Sequence, residues 1–409
     1  MTSGSDVAIQ SYLKLGYFID FDQDVLPFHY KNIDRNAYVG VSRENLEKQG
    51  HEALLQSIER DFRSTEDHVV PLSGGYDSRL ILAALREFLP AERLHTYTFG
   101  EPGSYDYELG TKVAKAAGTR HVTLPLRWSS WQRADLDHNA LRSQGQGLLF
   151  YMHPTRLLEM MYGGTTMWSG YAGDLVAGSK LHKDPAPSEK VAQQRYLQNR
   201  RFVRTLRLGA ADNASFLPFM AGAFTTPDVV SYDEQIMIAE GLAKFTAPSV
   251  LNSFFKTHTP QFNTPWADFF FSVPSEFRHG QNLMLSGARR FFPDLFELPS
   301  KNTLGLSSQA SGWRRKLKVY TSRARKLAHQ FMPSVSWPFH QYYDYHEAFR
   351  TDADMKALVH GLLQDFKRRD QLVCDIDALW SRHQSRQANL GDVFALIASA
   401  EACLAYQNV

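Results

Sequence analysis

One segment constrains the fold of this chain more than any other: residues 68–85, which read HVVPLSGGYDSRLILAAL. Residues 69–72 are mainly apolar, as in a short strand buried in a parallel sheet. Residues 80–85 begin a mostly apolar helix. Residues 73–78 must therefore form the turn that leads from a strand into a helix.

This turn has the composition of an anion-binding loop. Gly74 and Gly75 lack the side chains that would keep a phosphate away from backbone N–H groups, and the following helix offers the positive end of its dipole. Ser73 and Ser78 add hydroxyl donors. The carboxylate of Asp77 would repel bound phosphates unless a divalent cation lay between them. Asp77 is therefore a candidate magnesium ligand.

Two common nucleotide-binding patterns are absent from the sequence. Neither GxxxxGK[ST] nor GxGxxG occurs, so neither an ordinary P-loop NTPase nor a dinucleotide-binding fold is indicated. A simple turn with a helix cap is the alternative interpretation of SGGYDS. The strand before it and the helix after it favour the phosphate loop.

The following residues alternate between strand and helix patterns. Residues 94–99 predict a strand ending at Gly100, residues 106–117 a helix ended by Gly118, and residues 121–124 a third strand. This alternation predicts an α/β fold with a doubly wound parallel sheet, whose ligands bind at the carboxyl ends of the strands. Asp106 and Glu108 are either further site carboxylates or the acidic first turn of a helix.

A second strand and glycine turn follows about a hundred residues after the first. Residues 165–168 predict a strand, and residues 169–174, SGYAGD, add small residues and one carboxylate, Asp174. Two carboxylates at neighbouring strand ends, Asp77 and Asp174, can share one magnesium ion on a pyrophosphate.

Composition limits the remaining classes of function. The 409 residues are 43% apolar, enough for two or three domains with large cores. Lys plus Arg number 45 against 43 Asp plus Glu, so no strong overall field selects a nucleic acid or a membrane. Cys374 and Cys403 form no CxxC pair, which argues against a disulfide framework or a zinc site. Without a signal pattern or a long apolar run, we expect a cytoplasmic protein with no transmembrane segment.

Two stretches are basic. Residues 180–208 resemble an insertion or lid with a solvated helix. Residues 313–326 carry seven basic residues and no acidic one. Such a run is either a solvated helix face or a surface that meets an anionic carrier, a glycan phosphate or a membrane.

The ordered motifs LSGGYDS, TYTFG and SGYAGD, followed by Lys301, resemble those of the asparagine synthetase-like ATP pyrophosphatases, also called the PP-loop family. The resemblance covers about residues 61–310 and implies a sheet of the adenine nucleotide alpha hydrolase type. It divides the chain into a lead-in of short strands and a helix (1–60), the ATP pyrophosphatase domain (61–310) and a helical C-terminal region (311–409).

The resemblance also implies a role for each matching residue. ATP and Mg²⁺ are the implied cofactors, with Asp77 and Asp174 as the metal ligands and Lys301 as a catalytic residue. The implied nucleotide-binding residues are Leu72, Ser73, Gly74, Gly75, Asp77, Ser78, Phe99, Ser169 and Gly170.

The chain departs from the family pattern in two places. Thr2 stands where asparagine synthetases have a cysteine, and only about seventy residues precede the loop, so we expect no glutaminase domain. Tyr171 and Leu175 replace two glutamates of the motif GxGxDE. Tyr171 resembles the β-lactam synthetase branch, in which a tyrosine paired with a glutamate helps to deprotonate an amine; Glu240 is a candidate partner.

The leading hypothesis is an ATP-dependent ligase that forms an amide bond through an acyl-adenylate and releases pyrophosphate. Its partners would be a small-molecule or carrier-linked carboxylate and an amine or ammonia, or a separate nitrogen-supplying protein. Asparagine synthesis is the alternative within this class. A non-catalytic nucleotide-binding protein is the alternative from another class. Modification of tRNA is disfavoured because cysteine pairs and an RNA-binding domain are not seen, so no nucleic acid partner is expected.

Overall fold

The structure is a computed structural model that describes residues 4–21, 32–126, 131–204, 206–251, 254–306, 312–331 and 343–407. The strands are β1 (His68–Pro71), β2 (Leu94–Gly100), β3 (Arg120–Pro125), β4 (Thr166–Trp168) and β5 (Lys256–His258). The α-helices, numbered in chain order, are α1 (Gly4–Leu15), α2 (Arg43–Glu59), α3 (Asp77–Leu85), α4 (Tyr105–Ala117), α5 (Arg133–Arg142), α6 (Thr155–Tyr162), α7 (Gly173–Val176), α8 (Glu189–Asn199), α9 (Tyr232–Ile236), α10 (Ala247–Val250), α11 (Trp266–Ser272), α12 (Ser275–Arg278), α13 (Asn282–Phe291), α14 (Pro293–Phe296), α15 (Gly312–Phe331), α16 (Tyr345–Thr351), α17 (Ala353–Lys367), α18 (Ile376–Gln384) and α19 (Gly391–Gln407).

The five strands form one parallel sheet in the order β3-β2-β1-β4-β5. In register, His68 of β1 lies beside Leu94 of β2 and Thr166 of β4. The strand order reverses between β1 and β4, where open α/β sheets bind ligands beyond the strand ends. The predicted doubly wound α/β fold is therefore confirmed.

Backbone pairing continues past β1 and β4 into the segments that follow them. Leu72 N–H donates to Tyr97 O at 2.8 Å, and Ser169 N–H donates to His258 O at 2.9 Å. The sheet therefore fixes the starting points of both glycine turns. Strand β5, which supplies His258, was not predicted, because its residues, Lys-Thr-His, are all polar and show no apolar strand pattern.

The N-terminal segment is helical where the sequence analysis expected short strands. Tyr12 and Leu13 are buried on α1, and the helix ends at Gly16, whose φ is +88°. The prediction of strands is wrong here, because α1 is buried on more than one side: residues 7–13 are all buried, and the apolar side chains of the helix pack into two separate clusters. The rest of the expected strand region, residues 22–31, lies outside the described residues.

The sequence also predicts helices over residues 233–244 and 269–290, and both are interrupted in the structure. The segment predicted as one helix over 269–290 is divided into α11, α12 and α13 by Pro274 and by Gly280, whose φ is +64°. The segment predicted over 233–244 begins as α9 and continues as a π-helix, Met237–Thr246. Both regions carry residues that line or support the clefts described below.

The C-terminal helices share a core with the start of the chain. Helix α19 packs against α1, α5, α16 and α17, and the apolar side chains of these helices form one buried cluster. The predicted helical C-terminal region is thus present, whereas the predicted domain boundaries stay predictions. Within the described ranges, none of the helices is both long and apolar enough to cross a membrane.

Candidate active site

A cleft of about 620 Å³ opens at the carboxyl ends of β1, β2 and β4. Ten of the residues predicted for the site line it: Leu72, Ser73, Gly75, Asp77, Ser78, Phe99, Ser169, Gly170, Asp174 and Lys301. Of the twelve predicted residues, all within the described part of the chain, only Gly74 and Tyr171 are not in this lining. The fold thus collects residues scattered over about 230 positions into one cleft.

The phosphate-type loop is held by its own serines. Ser73 N–H donates to Ser78 Oγ at 3.2 Å, Gly75 N–H donates to Ser73 Oγ at 3.2 Å, and the two hydroxyls lie 3.3 Å apart. Backbone donors and hydroxyls are therefore gathered in one turn at the start of α3. Such a turn can accept the oxygens of a polyphosphate.

Gly170 and Gly74 each lie too close to a neighbouring segment of the chain for a larger residue to fit. A Cβ atom on Gly170 would lie 2.7 Å from the backbone carbon of Asp77 and 2.8 Å from Ser78 N. One on Gly74 would lie 2.9 Å from Tyr105 O. Any larger residue would push the end of β4, or the start of α4, away from the loop.

Asp77 and Asp174 form the acidic part of the cleft. Oδ1 of Asp77 is buried, without a hydrogen-bond partner among the described residues. Burial, followed by repulsion from Asp174, raises the pKa of Asp77 to about 7, and Lys301 opposes this rise. Asp174 accepts a hydrogen bond from Ser179 Oγ at 2.9 Å. Two carboxylates that repel each other in a shared cleft destabilise the protein when both are ionised, unless a cation neutralises them.

The two carboxylates fit a magnesium ion. Mg²⁺ is commonly held by one or two carboxylates together with substrate phosphates and water. Among the described residues, no cluster of three or more His, Cys, Asp or Glu side chains could hold a metal ion. Asp77 and Asp174 could therefore hold Mg²⁺ only with ligands from a bound phosphate or water.

Lys301 comes from a much later part of the chain, and both its backbone and its side chain lie against the glycine turn of residues 73–78. Its backbone N–H donates to Gly74 O at 2.9 Å, and its Nζ lies 3.0 Å from Oδ1 of Asp106. Its Cε and Nζ would lie 3.3 and 3.8 Å from a Cβ atom on Gly75. The ammonium group is thus placed over the glycine turn, where the charge of a polyphosphate would lie.

Asp106 lines the cleft and also lies in the acidic first turn of α4, so the two alternatives that the sequence left open both describe it. The same oxygen, Oδ1, accepts from Gly74 N–H at 2.9 Å and from Lys301 Nζ at 3.0 Å. Asp106 therefore links helix α4, the glycine turn and the late lysine.

Arg79 supports Lys301 from behind the site. It is fully buried on α3, and its guanidinium donates to the carbonyls of Leu295, Leu298 and Pro299 at 2.8–3.1 Å. These carbonyls precede Lys301 in the chain, so the helix that follows the loop also holds the lysine segment. The sequence analysis missed Arg79, although a single arginine in an apolar helical run must find partners when buried.

Part of the cleft is apolar and aromatic, formed by Phe99, Leu158, Met167, Phe254 and Phe255. Such a surface suits a flat base such as adenine.

His153 also lines the cleft. Its Nδ1 lies 2.8 Å from Tyr97 Oη, and burial lowers the pKa of His153 to about 4. This histidine is therefore neutral at physiological pH. The sequence offered no motif by which to single it out.

Tyr171 lies in the core. Its ring packs edge-to-face on Phe262 at 5.5 Å, and its hydroxyl is buried without a hydrogen-bond partner among the described residues. Burial raises the pKa of Tyr171 well above its ordinary value, so the phenol stays protonated. This placement does not support the predicted role of Tyr171 as a base that activates an amine.

Glu240, the candidate partner of Tyr171, is engaged elsewhere. It accepts from Tyr17 Oη at 2.9 Å and from Ala221 N–H at 2.6 Å, and it pairs with Lys244 at 2.9 Å. The described contacts of Glu240 do not include Tyr171. The structure therefore does not bring the predicted tyrosine and glutamate pair together.

A second cleft, of about 450 Å³, shares Ser179 and Lys180 with the first. Its basic and acidic lining residues are Lys180, His182, Arg195, Arg200, Asp233 and Glu234. Asp233 is paired with Arg195 at 2.9 Å, and Glu234 with the buried Arg278 at 2.6 Å. Because both carboxylates are paired, Lys180 and Arg200 leave the second cleft with an excess of positive charge.

Comparison with known families agrees with this site. The family model described as asparagine synthase matches residues 49–221. The match supports an asparagine synthetase-like synthetase domain over residues 49–221, and with it an ATP-dependent, ligase-type activity in general. The match includes Asp77 and Asp174, while Lys301 lies beyond it and is connected to the site by its contacts. The resemblance to the β-lactam synthetase branch stays a prediction. No curated protein matches the chain significantly.

Proposed function

We propose that this protein is an AMP-forming ligase, which activates a carboxylate with ATP as an acyl-adenylate and passes the acyl group to an amine or ammonia. The observation that carries the proposal is the position of Lys301 over the SGGYDS turn, in a cleft that Asp77 and Asp174 also line. A cation and two metal-binding carboxylates around one phosphate loop suit the departure of pyrophosphate.

In the proposed complex, adenine and ribose lie against Leu72, Phe99, Ser169 and Gly170, in the apolar part of the cleft. The β- and γ-phosphates lie on the turn of residues 73–78. Mg²⁺, held by Asp77 and Asp174, would neutralise charge on the phosphates when bound.

The proposed reaction has two steps. First, an oxygen of the substrate carboxylate bonds to the α-phosphorus, and the bond from that phosphorus to the bridging oxygen breaks with its electron pair leaving on pyrophosphate. Lys301 stabilises that charge by its position over the turn. Second, the amine nitrogen bonds to the acyl carbon, the acyl–phosphate bond breaks, AMP leaves and the amine loses a proton.

The second cleft is the proposed entrance for the carboxylate substrate. It meets the first at Ser179 and Lys180, beside Asp174, so an acid bound there could present its carboxylate to the nucleotide. The excess charge of Lys180 and Arg200 favours an acid with a further negative group, either a small molecule or the end of a carrier-linked chain.

A product analysis tests this function. Purified protein is given Mg²⁺ and a panel of mono- and dicarboxylic acids in two assays. The first contains unlabelled ATP and labelled pyrophosphate without a nitrogen donor, and the second contains ATP labelled at the α-phosphate together with amines or ammonium. We expect acid-dependent exchange of labelled pyrophosphate into ATP, and AMP as the nucleotide product once a nitrogen donor is present. The Asp174→Asn variant is the control. Stoichiometric ADP and phosphate would contradict the proposal, and tight ATP binding without exchange for any acid would favour a non-catalytic nucleotide-binding protein.

A further inference from the structure

Helix α15 presents a row of large apolar side chains to solvent. Trp313, Leu317 and Tyr320 are 63, 55 and 69% exposed. Their spacing, i, i+4 and i+7, places all three on one face of the helix. Isolated exposed apolar residues are common on protein surfaces, but an aligned row of three with two aromatic rings marks an interaction surface.

The same helix is strongly basic. The stretch 313–326 contains seven Lys and Arg residues and no Asp or Glu. Among the side chains that the structure describes, Lys316 and Arg323 are exposed and Lys318 is partly exposed. At 100° per residue, Lys316 and Arg323 flank the apolar row on one side, and Lys318 lies towards the opposite face. Among the described side chains, the helix thus combines an apolar row with cations beside it and on its opposite face, and Val319, 38% exposed, is an apolar residue outside the row.

We propose that α15 is an interfacial helix that binds this protein to the surface of an anionic lipid bilayer. Helices of this kind lie in the plane of the membrane, with Trp and Leu entering the headgroup boundary and Lys and Arg meeting acidic headgroups. Tryptophan and tyrosine are the residues that favour this boundary. The inference depends on α15 alone and is independent of the proposed ligase activity.

The apolar row favours a membrane over the other anionic partner, a nucleic acid. Binding to a phosphate backbone requires cations and gains little from an exposed leucine. Binding to an anionic bilayer gains from both kinds of side chain, because the free energy of burying the apolar row adds to that of attracting Lys and Arg to the acidic headgroups. The chemistry of the surface therefore indicates acidic phospholipid.

Flotation with vesicles tests this inference. The full-length protein is mixed with vesicles of phosphatidylcholine alone, or of phosphatidylcholine with 30% phosphatidylglycerol, at low and high salt. We expect binding to the anionic vesicles, weakened by salt, and at least tenfold less binding to the neutral ones. Equal binding to both vesicles, or no binding to either, would overturn the proposal.

Paired variants identify the surface. Each cation near a membrane contributes a factor of about five in binding, so Lys316→Glu/Arg323→Glu, which changes the two exposed cations that flank the apolar row, should weaken binding by about twentyfold or more. Trp313→Ala/Leu317→Ala should weaken binding by at least about tenfold. Lys112→Glu/Lys115→Glu makes the same charge change on exposed positions of α4, and Met160→Ala removes a 74% exposed side chain from α6. Both controls should bind as the parent does.

Folding and nucleic acid binding are measured on the same variants. Far-ultraviolet circular dichroism and thermal unfolding must match for all of them, so that lost binding is not lost folding. Binding to a labelled oligonucleotide is measured in parallel. If the oligonucleotide binds more tightly than the vesicles and Trp313→Ala/Leu317→Ala has no effect, the surface is a nucleic acid site and the proposal is wrong.

Discussion

Lys301 and Asp106 meet 3.0 Å apart beside the glycine turn, although 195 residues separate them in the sequence. The aspartate also accepts the Gly74 N–H, and the lysine N–H donates to Gly74 O. This closed set of contacts holds one cation at a fixed place over the loop before any ligand binds. Preorganised charge of this kind is what stabilises a departing anion.

Removing the lysine charge should therefore slow adenylation. We expect Lys301→Met to reduce pyrophosphate exchange by about a hundredfold or more. Asp106→Asn keeps an acceptor for Gly74 N–H but loses the ion pair, so its loss should be smaller, about tenfold. Lys115→Met, at the exposed end of the helix that carries Asp106, is the control and should be unchanged. Near-normal exchange in Lys301→Met would show that the lysine is not part of the machinery.

The two carboxylates allow a second test. Asp77→Asn and Asp174→Asn should each lower Mg²⁺-dependent turnover by about a hundredfold or more, because each removes a ligand that neutralises pyrophosphate charge. Ser179→Ala removes only the hydrogen bond to Asp174 and should cost a few-fold. A rate for either asparagine variant within a few-fold of the parent would contradict the metal assignment.

The sequence alone was sufficient to predict the parts of this site that depend on local residue patterns. Strand and helix periodicity located β1, β2, β3 and β4, and the glycine turn identified the loop. Contacts between segments that are distant in the chain could not be predicted from the sequence. No local residue pattern shows that Arg79 would donate to the carbonyls of Leu295, Leu298 and Pro299.

The sequence also could not predict which way each side chain points after the end of strand β4. Ser169 and Gly170 face the cleft, whereas the next residue, Tyr171, packs on Phe262. Ala172 follows with φ of +62°, a turn conformation that the residue type does not announce. A family motif therefore assigned Tyr171 to the site, and the local backbone placed it in the core.

Because the pKa of Asp77 is raised in the folded state, ionisation of this carboxyl lowers the free energy of unfolding, by an amount that depends on pH. Below about pH 4 the carboxyl is protonated in both the folded and unfolded states; above about pH 7 it is ionised in both, and the folded state is destabilised. The cost therefore grows between pH 4 and 7. Without Mg²⁺ and nucleotide, Asp77→Asn should be more stable than the parent at pH 8 by up to roughly 4 kcal/mol, because the pKa rises from 3.8 to about 7 and each pKa unit corresponds to about 1.4 kcal/mol; the difference should shrink towards pH 4.

Urea unfolding at pH 4, 6 and 8 measures this difference, with the exposed Asp228→Asn as the control. Magnesium with ATP should narrow the gap at pH 8, since ligands that bind only the folded parent stabilise it. A stability difference independent of pH would show that Asp77 does not titrate as its surroundings imply.

The sequence motif predicted that Tyr171 helps to deprotonate an amine, whereas its buried position predicts little effect of removing its hydroxyl. Its hydroxyl is buried, protonated and without a hydrogen-bond partner among the described residues, so Tyr171→Phe removes no contact of that oxygen. We expect both pyrophosphate exchange and amide formation to stay within about twofold of the parent. Tyr171→Ala, in contrast, leaves a cavity beside Phe262 and should destabilise the protein by about 3–5 kcal/mol. A tenfold loss of amide formation in Tyr171→Phe, with exchange intact, would restore the role of a base, because general-base catalysis typically contributes ~10² to 10⁴ in rate.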